Sequence, residues 1–473
     1  MRPKFLLGVF AFLLLASSVS AKDTSPPNIV LILIDDMGWR DVGFAGNTFV
    51  ETPNIDRLAR EGMQFTQAYS SAPNCAPTRA CLMSGQYTPR HGVFTVIDPR
   101  HDPGQPHHKV ISVKSNEALS GDVVTIAELL QSKGYATACS GMWNLGRGRS
   151  GPSTPTGQGF DLFKEPKSIG FEKDAYFDSE GHYCSDVLTD ETLAFIEGNR
   201  SRPFFVYLAP HDVHAPLEPK PELVAKYQKK AQRANVSDAE IQQAASVEAI
   251  DVNVGRIMDK LKDLKLDDNT MVIFTSDNGG TPQFVAPLNG SKGALYEGGI
   301  RVPAAIWWKG LKNPGRDFDE PVLSMDFYPT IAELTDADLP RNQPIDGTSL
   351  MSVLRDEAKS LNRDSVFWHF PCYIGHGEPS SAVRMGDWKL IEKFQDESFE
   401  LYNLRNDPGE KKNLVESQSL KAKELKQVLL DWQTTTGAPR PVEKNPAYDP
   451  NSEQAQRGKK GGGKGRQPRM DKQ

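Results

Sequence analysis

The run Asn28-Ile29-Val30-Leu31-Ile32-Leu33-Ile34-Asp35-Asp36 decides the fold. Six apolar residues follow one another without a polar break, which reads as a strand buried on both faces, as in a sheet covered by helices. The strand runs straight into two carboxylates, at the end where open α/β sheets place their sites. Two more runs repeat the pattern. Met271 to Ser276 ends in Asp277-Asn278-Gly279-Gly280, and Phe204 to Ala209 ends near His211 and His214. Helical patterns lie between them: Pro53 to Glu61 with Thr52 as N-cap, Thr125 to Lys133 ending at Gly134, and Val247 to Leu264. Strands alternating with helices predict an α/β protein, a large mixed or parallel sheet sandwiched by helices. Beyond about residue 360 the pattern changes to short strand-like pieces, Ser365 to Phe370, Ala382 to Phe394 and Phe399 to Leu404. A helix follows from Ser419 to about Thr434, so a small C-terminal antiparallel sheet with a helix is expected.

A chain of 473 residues suffices for a large domain plus a smaller one. Arg2 and Lys4, the apolar run Phe5 to Ala16 and small residues through Ala21 predict a signal peptide over 1–21, too short to span a bilayer. The mature protein is therefore expected to be exported, periplasmic or secreted, without a transmembrane segment and without a nucleic-acid partner. Expected boundaries are 22–360 for the catalytic domain, 361–436 for the antiparallel subdomain and 437–473 for a basic disordered tail. Residues 457–473 hold seven Lys or Arg against one acid, which leaves the preceding 456 residues at −12 of the overall −6. Export permits disulfides. The spacing of Cys81, Cys139, Cys184 and Cys372 fixes no pairing, and a free, buried set is an equal reading.

Asp35, Asp36, Asp277 and Asn278 offer hard oxygen ligands at two strand ends, which suits calcium or magnesium better than zinc. One such acid pair is commonly a solvated loop or a cap. Two in one chain, with Cys75 as a third feature, favour a metal.

Cys75-Ala76-Pro77-Thr78-Arg79, continuing to Ser84-Gly85, resembles the signature of type I, formylglycine-dependent sulfatases of the alkaline phosphatase superfamily. The resemblance continues in order through Ile34-Asp35-Asp36-Met37-Gly38, Thr275 to Gly280, Lys292-Gly293, Glu297 to Pro303, Met325 to Thr330, Asp346 to Leu350 and Leu401 to Leu404 with Asp407-Pro408-Gly409-Glu410. It implies an alkaline-phosphatase-like fold and a sulfuric ester hydrolase acting on sulfated carbohydrate. It also implies that a maturation enzyme converts Cys75 to formylglycine, whose hydrate attacks sulfur. By the same resemblance Asp35, Asp36, Cys75, Asp277 and Asn278 would hold one Ca2+, with Mg2+ possible. Arg79 would stabilise the hydrate and its environment, Lys292 would bind the sulfate, and His214 would stand at the leaving oxygen as proton donor. His211 has no counterpart and reads as structural.

One landmark departs. Gly141-Met142-Trp143-Asn144-Leu145-Gly146 stands where the family has Gly-Lys-Trp-His-Leu-Gly, so a sulfate-binding lysine is Met142 and a histidine is Asn144. Met cannot neutralise a sulfate oxygen and Asn cannot relay a proton at neutral pH. Three readings follow: another cation serves, with Arg147 or Arg149 as candidates; the ester differs, phosphate or phosphonate included; or the protein retains the fold as a catalytically impaired binding protein. The loop His101 to Lys109 and the segment His369 to Arg384 are expected near the pocket.

Overall fold

A computed structural model describes residues 25–96, 104–146, 150–172, 175–233, 236–375 and 377–452. The segment read as signal peptide (1–21) falls outside these, as do Arg147, Arg149, His101 and residues 453–473 of the expected tail. The tail's first part, 437–452, is corrected to an ordered segment, because its backbone bonds to the 106–111 stretch (Ile111 N to Glu443 O 2.8 Å, Asn445 N to Lys109 O 3.1 Å, Asp449 N to Pro106 O 2.7 Å). Fourteen strands are described: β1 (Asn28–Ile34), β2 (Met63–Phe65), β3 (Ala68–Tyr69), β4 (Ala136–Gly141), β5 (Leu162–Lys164), β6 (Phe204–Ala209), β7 (Thr270–Ser276), β8 (Ala304–Trp308), β9 (Arg316–Phe318), β10 (Val322–Leu323), β11 (Ser365–Phe370), β12 (Ser380–Met385), β13 (Trp388–Lys393) and β14 (Ser398–Asn403). The large sheet has the order β5-β4-β6-β1-β7-β8-β2-β9. Its first five strands are parallel, while β8 runs antiparallel to both β7 and β2, so the sheet is mixed.

β1 shows why the helices must cover both faces. Ile29, Leu31 and Leu33 join one buried cluster with Ala80, Leu82, Ile126 and Ile331, whereas Val30, Ile32 and Ile34 join another with Leu58, Leu188, Val247 and Val254. Alternate side chains of a strand point to opposite faces, so an unbroken apolar run demands two cores. At roughly 1.5–3 kcal/mol per buried aliphatic side chain, the six together outweigh any local helical preference. β11 to β14 form the separate antiparallel sheet, with helix Ser419–Thr436 packed on it through Leu425 and Leu429.

Some expectations are corrected. The piece Ala382 to Phe394 is two strands, because Gly386 (φ +57°) and Asp387 turn the chain. The helix expected from Val247 begins at Asp238, where Ser237 accepts from the Glu240 N–H and Glu240 reaches back to the Ser237 N–H, a capping box. Thr52 precedes helix Pro53–Glu61 without capping it; its hydroxyl accepts from Gly43 N and donates to Asp56. All five cysteines are free and buried. Among the described residues no helix is long and apolar enough to cross a membrane.

Asp41 holds the turn after β1, accepting from Gly38 N (2.7 Å) and Gln243 Nε2 (2.9 Å), with no ion-pair partner among the described residues. Burial pushes its pKa up to about 7. The folded state then keeps a proton that the unfolded chain releases near 3.8, so this group's contribution falls as pH rises from about 4 to 7. Asp41→Asn keeps an acceptor without the charge. It is expected to exceed the wild type by on the order of a few kcal/mol at pH 8. That gap should close towards pH 4, as urea unfolding at several pH values would show.

Candidate active site

The two acid-bearing strand ends lie side by side because β1 and β7 pair in parallel, with Ile34 opposite Ser276. Asp36 takes a left-handed backbone (φ +66°), an unusual conformation that turns its carboxylate back towards β7. Its N–H donates to Asp277 Oδ1 (3.2 Å), and Asn278 Nδ2 donates to Asp36 Oδ1 (2.8 Å). Helix Cys75–Ser84 brings the third component. Asn74 precedes it in extended conformation, so Cys75 sits in the first turn, where backbone N–H groups lack helical partners and favour negative charge. Pro77 is tolerated in that turn because it needs no N–H there.

Cys75 Sγ lies 3.0 Å from Asp35 Oδ1, 3.4 Å from Asn278 Oδ1 and 3.9 Å from Asp36 Oδ1. One turn along the helix, Arg79 is fully buried. Its guanidinium donates to Asp277 Oδ2 from Nη2 (2.7 Å) and Nε (3.0 Å), and pairs with Asp35 Oδ2 at 3.2 Å. Nη1 donates to the Met142 carbonyl and to Tyr207 Oη. Lys292 Nζ meets both oxygens of Asp36 (2.7 and 2.9 Å), and His214 Nε2 is 3.8 Å from Asp36 Oδ2. All eight residues singled out in the sequence thus meet in one place. Two glycines allow the approach. At Gly141 (φ +107°) a Cβ would lie 2.1 Å from the Ala209 carbonyl oxygen; at Gly293 (φ +95°) it would lie 2.6 Å from that of Ile374.

Among the described residues three carboxylates face two fixed cations here. Burial disfavours ionised Asp35, yet Arg79, His214 and Lys292 hold it well below its ordinary range. Burial and the Asp35 charge push Asp277 up to about 7 against Arg79. Taken together, the acids share one guanidinium and carry more negative charge than it and Lys292 compensate. Burial and the neighbouring carboxylates likewise raise the Cys75 thiol well above its usual value, so the encoded thiol is a poor nucleophile here. One ligand atom from each of Asp35, Asp36, Cys75 and Asp277 lies within 4.8 Å of the others, all buried. A surplus of hard oxygen donors fits a divalent cation of the calcium or magnesium type.

Met142 meets this cluster through its backbone, accepting from Arg79 and donating to Ala209 O, while its side chain packs on the core; Asn144 lines a cavity with Ala76 and Thr95. Asn144 is left-handed (φ +59°). The ends of the segment His369 to Arg384 are withdrawn into the core. His369 bonds Ser381 Oγ and the Pro439 carbonyl, and Arg384 bonds Tyr69 and Gln67, whereas Ile374 and Gly377 lie against Gly293. His108 is stacked on Tyr373. Tyr207 and Tyr176 were missed by sequence reasoning, since a tyrosine on a buried strand or in a loop carries no local signal of its partners.

The sulfatase family model matches residues 27–337, and the model for the N-sulphoglucosamine sulphohydrolase C-terminal region matches 291–435. A sulfatase of Formosa agariphila is 35% identical, over 87% of this chain and 88% of its own. The human N-acetylgalactosamine-6-sulfatase is 32% identical, over 77% of this chain and 71% of its own. Ps i-CgsB, solved in complex with k-i-k-neocarrahexaose, superposes with a TM-score of 0.72 at 28% identity, covering 93% of this chain and 98% of that one. With the Cys75-bearing helix, the acid cluster and the mixed sheet in place, the chain belongs to the sulfatase family and is a sulfuric ester hydrolase of the alkaline-phosphatase-like fold.

Proposed function

We propose that this protein is an exported, divalent-metal-dependent sulfatase that removes sulfate from carbohydrate, using formylglycine made from Cys75 by a maturation enzyme. The observation that carries it is Cys75 Sγ, 3.0 Å from Asp35 at a helix N-terminus, inside an acid cluster faced by Lys292. Carbohydrate is supported by what two similar proteins are named for or solved with, one an N-acetylgalactosamine-6-sulfatase and the other in complex with k-i-k-neocarrahexaose.

The hydrated aldehyde would supply the attacking oxygen, and a calcium-type cation, which Asp35, Asp36, Asp277 and Asn278 would hold, would supply charge neutralisation. Arg79 fixes the ligand carboxylates; being fully buried, it has no surface for substrate. Lys292, whose side chain is 19% exposed, reaches the solvent side of the cluster and binds a sulfate oxygen. His214, 43% exposed beside Asp36, donates the proton to the departing sugar oxygen.

Hydrolysis of sulfated oligosaccharides and aryl sulfate by protein co-expressed with a formylglycine-generating enzyme tests this reading; turnover of phosphate or phosphonate esters alone would replace it. Lys292→Met is expected to lower kcat/KM by about 100-fold, since no second described cation faces the cluster from the open side and one lost donor costs roughly that much. A change below about threefold would remove Lys292 from sulfate binding. Export is checked by the N-terminus of the mature protein, expected near Lys22.

A further inference from the structure

We infer that Tyr176 is a positioning residue for His214, and through it sets proton delivery to the leaving group; this rests on the role given to His214 above. Among the described residues the His214 ring makes no hydrogen bond, and the carboxylate it faces is Asp36, with Oδ2 at 3.8 Å. A half-exposed side chain so loosely held is placed by its backbone. That backbone is a turn leaving β6. The Asp35 N–H reaches the Pro210 carbonyl (3.3 Å), and His214 N–H closes on the His211 carbonyl (3.0 Å).

The Tyr176 hydroxyl clamps this turn. It donates to the carbonyls of His214 (2.5 Å) and His211 (3.1 Å), and its ring lies against the His211 imidazole, centroids 4.8 Å apart. Tyr176 is itself fixed. Its carbonyl accepts from Cys184 N (2.8 Å), and its ring packs with Tyr183 and Ala249. Burial, aided by Asp212 and Asp35, raises its pKa, so the phenol stays protonated and remains a donor. A second tether holds the same turn, where Asp212 accepts from Ser185 Oγ (2.6 Å). Removing the Tyr176 hydroxyl frees the His214 carbonyl and leaves that of His211 to the His214 N–H alone, while the ring stack stays intact.

The readout is leaving-group dependence. A nitrophenolate departs without a proton, whereas a sugar alkoxide needs one in the transition state. A displacement of about 1 Å in a catalytic group can cost about 100-fold. Tyr176→Phe, in protein carrying formylglycine and metal, is therefore expected to lower kcat about tenfold on a sulfated sugar but less than about twofold on nitrophenyl sulfate. KM should change little on either. Equal losses on both substrates, or none, would overturn the inference by making Tyr176 a general structural residue or an idle one. His214→Asn runs in parallel. If it too fails to discriminate between the leaving groups, the role of His214 is wrong; if it discriminates and Tyr176→Phe does not, only the positioning role falls.

Discussion

Cys75→Ala is expected to reduce kcat by on the order of 10^5 to 10^6, leaving at most the residual effect of binding and charge. No other described side chain can take over. Arg79 is buried and fully bonded, Ser71 is committed to Ser324, and Thr78 donates to the Ala72 carbonyl. The fold should survive. Alanine fits helix Cys75–Ser84 at its first position, and Asp35 loses one weak thiol donor while keeping Arg79. A loss of about 1 kcal/mol in stability is expected. Activity and thermal unfolding measured on the same preparation separate the two effects. Peptide mass spectrometry of wild-type protein, co-expressed with a maturation enzyme, should show the thiol replaced by an aldehyde. A fully active protein that retains the cysteine would end the formylglycine reading.

Asp277→Ala should cost both stability and metal. Arg79 gives two of its donors to Asp277 and has no exposure, so the substitution leaves a buried guanidinium with one carboxylate, Asp35, and neutral acceptors. Breaking a buried ion pair from one side commonly costs about 3–5 kcal/mol. The same carboxylate offers Oδ1 to the acid cluster, so bound metal should fall well below one per chain. A chelator gives the complementary measurement. It should lower the unfolding temperature of the wild type, because a cation bound only to the folded state stabilises by mass action, and leave that of Asp277→Ala unchanged. Added calcium or magnesium should reverse the wild-type shift. Stoichiometric zinc, or a metal content unchanged in the variant, would contradict the oxygen-ligand site.

Much of this was legible along the chain. An unbroken apolar run such as Ile29 to Ile34 can be stable only between two cores, so the α/β layering follows from residue type and period. The carboxylates at the ends of two such runs must lie at the carboxyl ends of buried strands, and Cys75 to Arg79 places thiol and guanidinium one helical turn apart. These are local facts, carried by neighbours in sequence. Tertiary structure alone decided the rest. That Ile34 lies opposite Ser276, which brings Asp35 and Asp277 onto one arginine, is a register between segments some 240 residues apart. The withdrawal of His369 and Arg384 into the core, and the clamp of Tyr176 on the His214 turn, depend on hydrogen bonds between distant segments. Such bonds leave no period in the sequence. The physical reason is the same throughout: apolar patterning states how much surface an element must bury, whereas the partner of each polar group is fixed only when the packed elements bring a donor within about 3 Å of an acceptor.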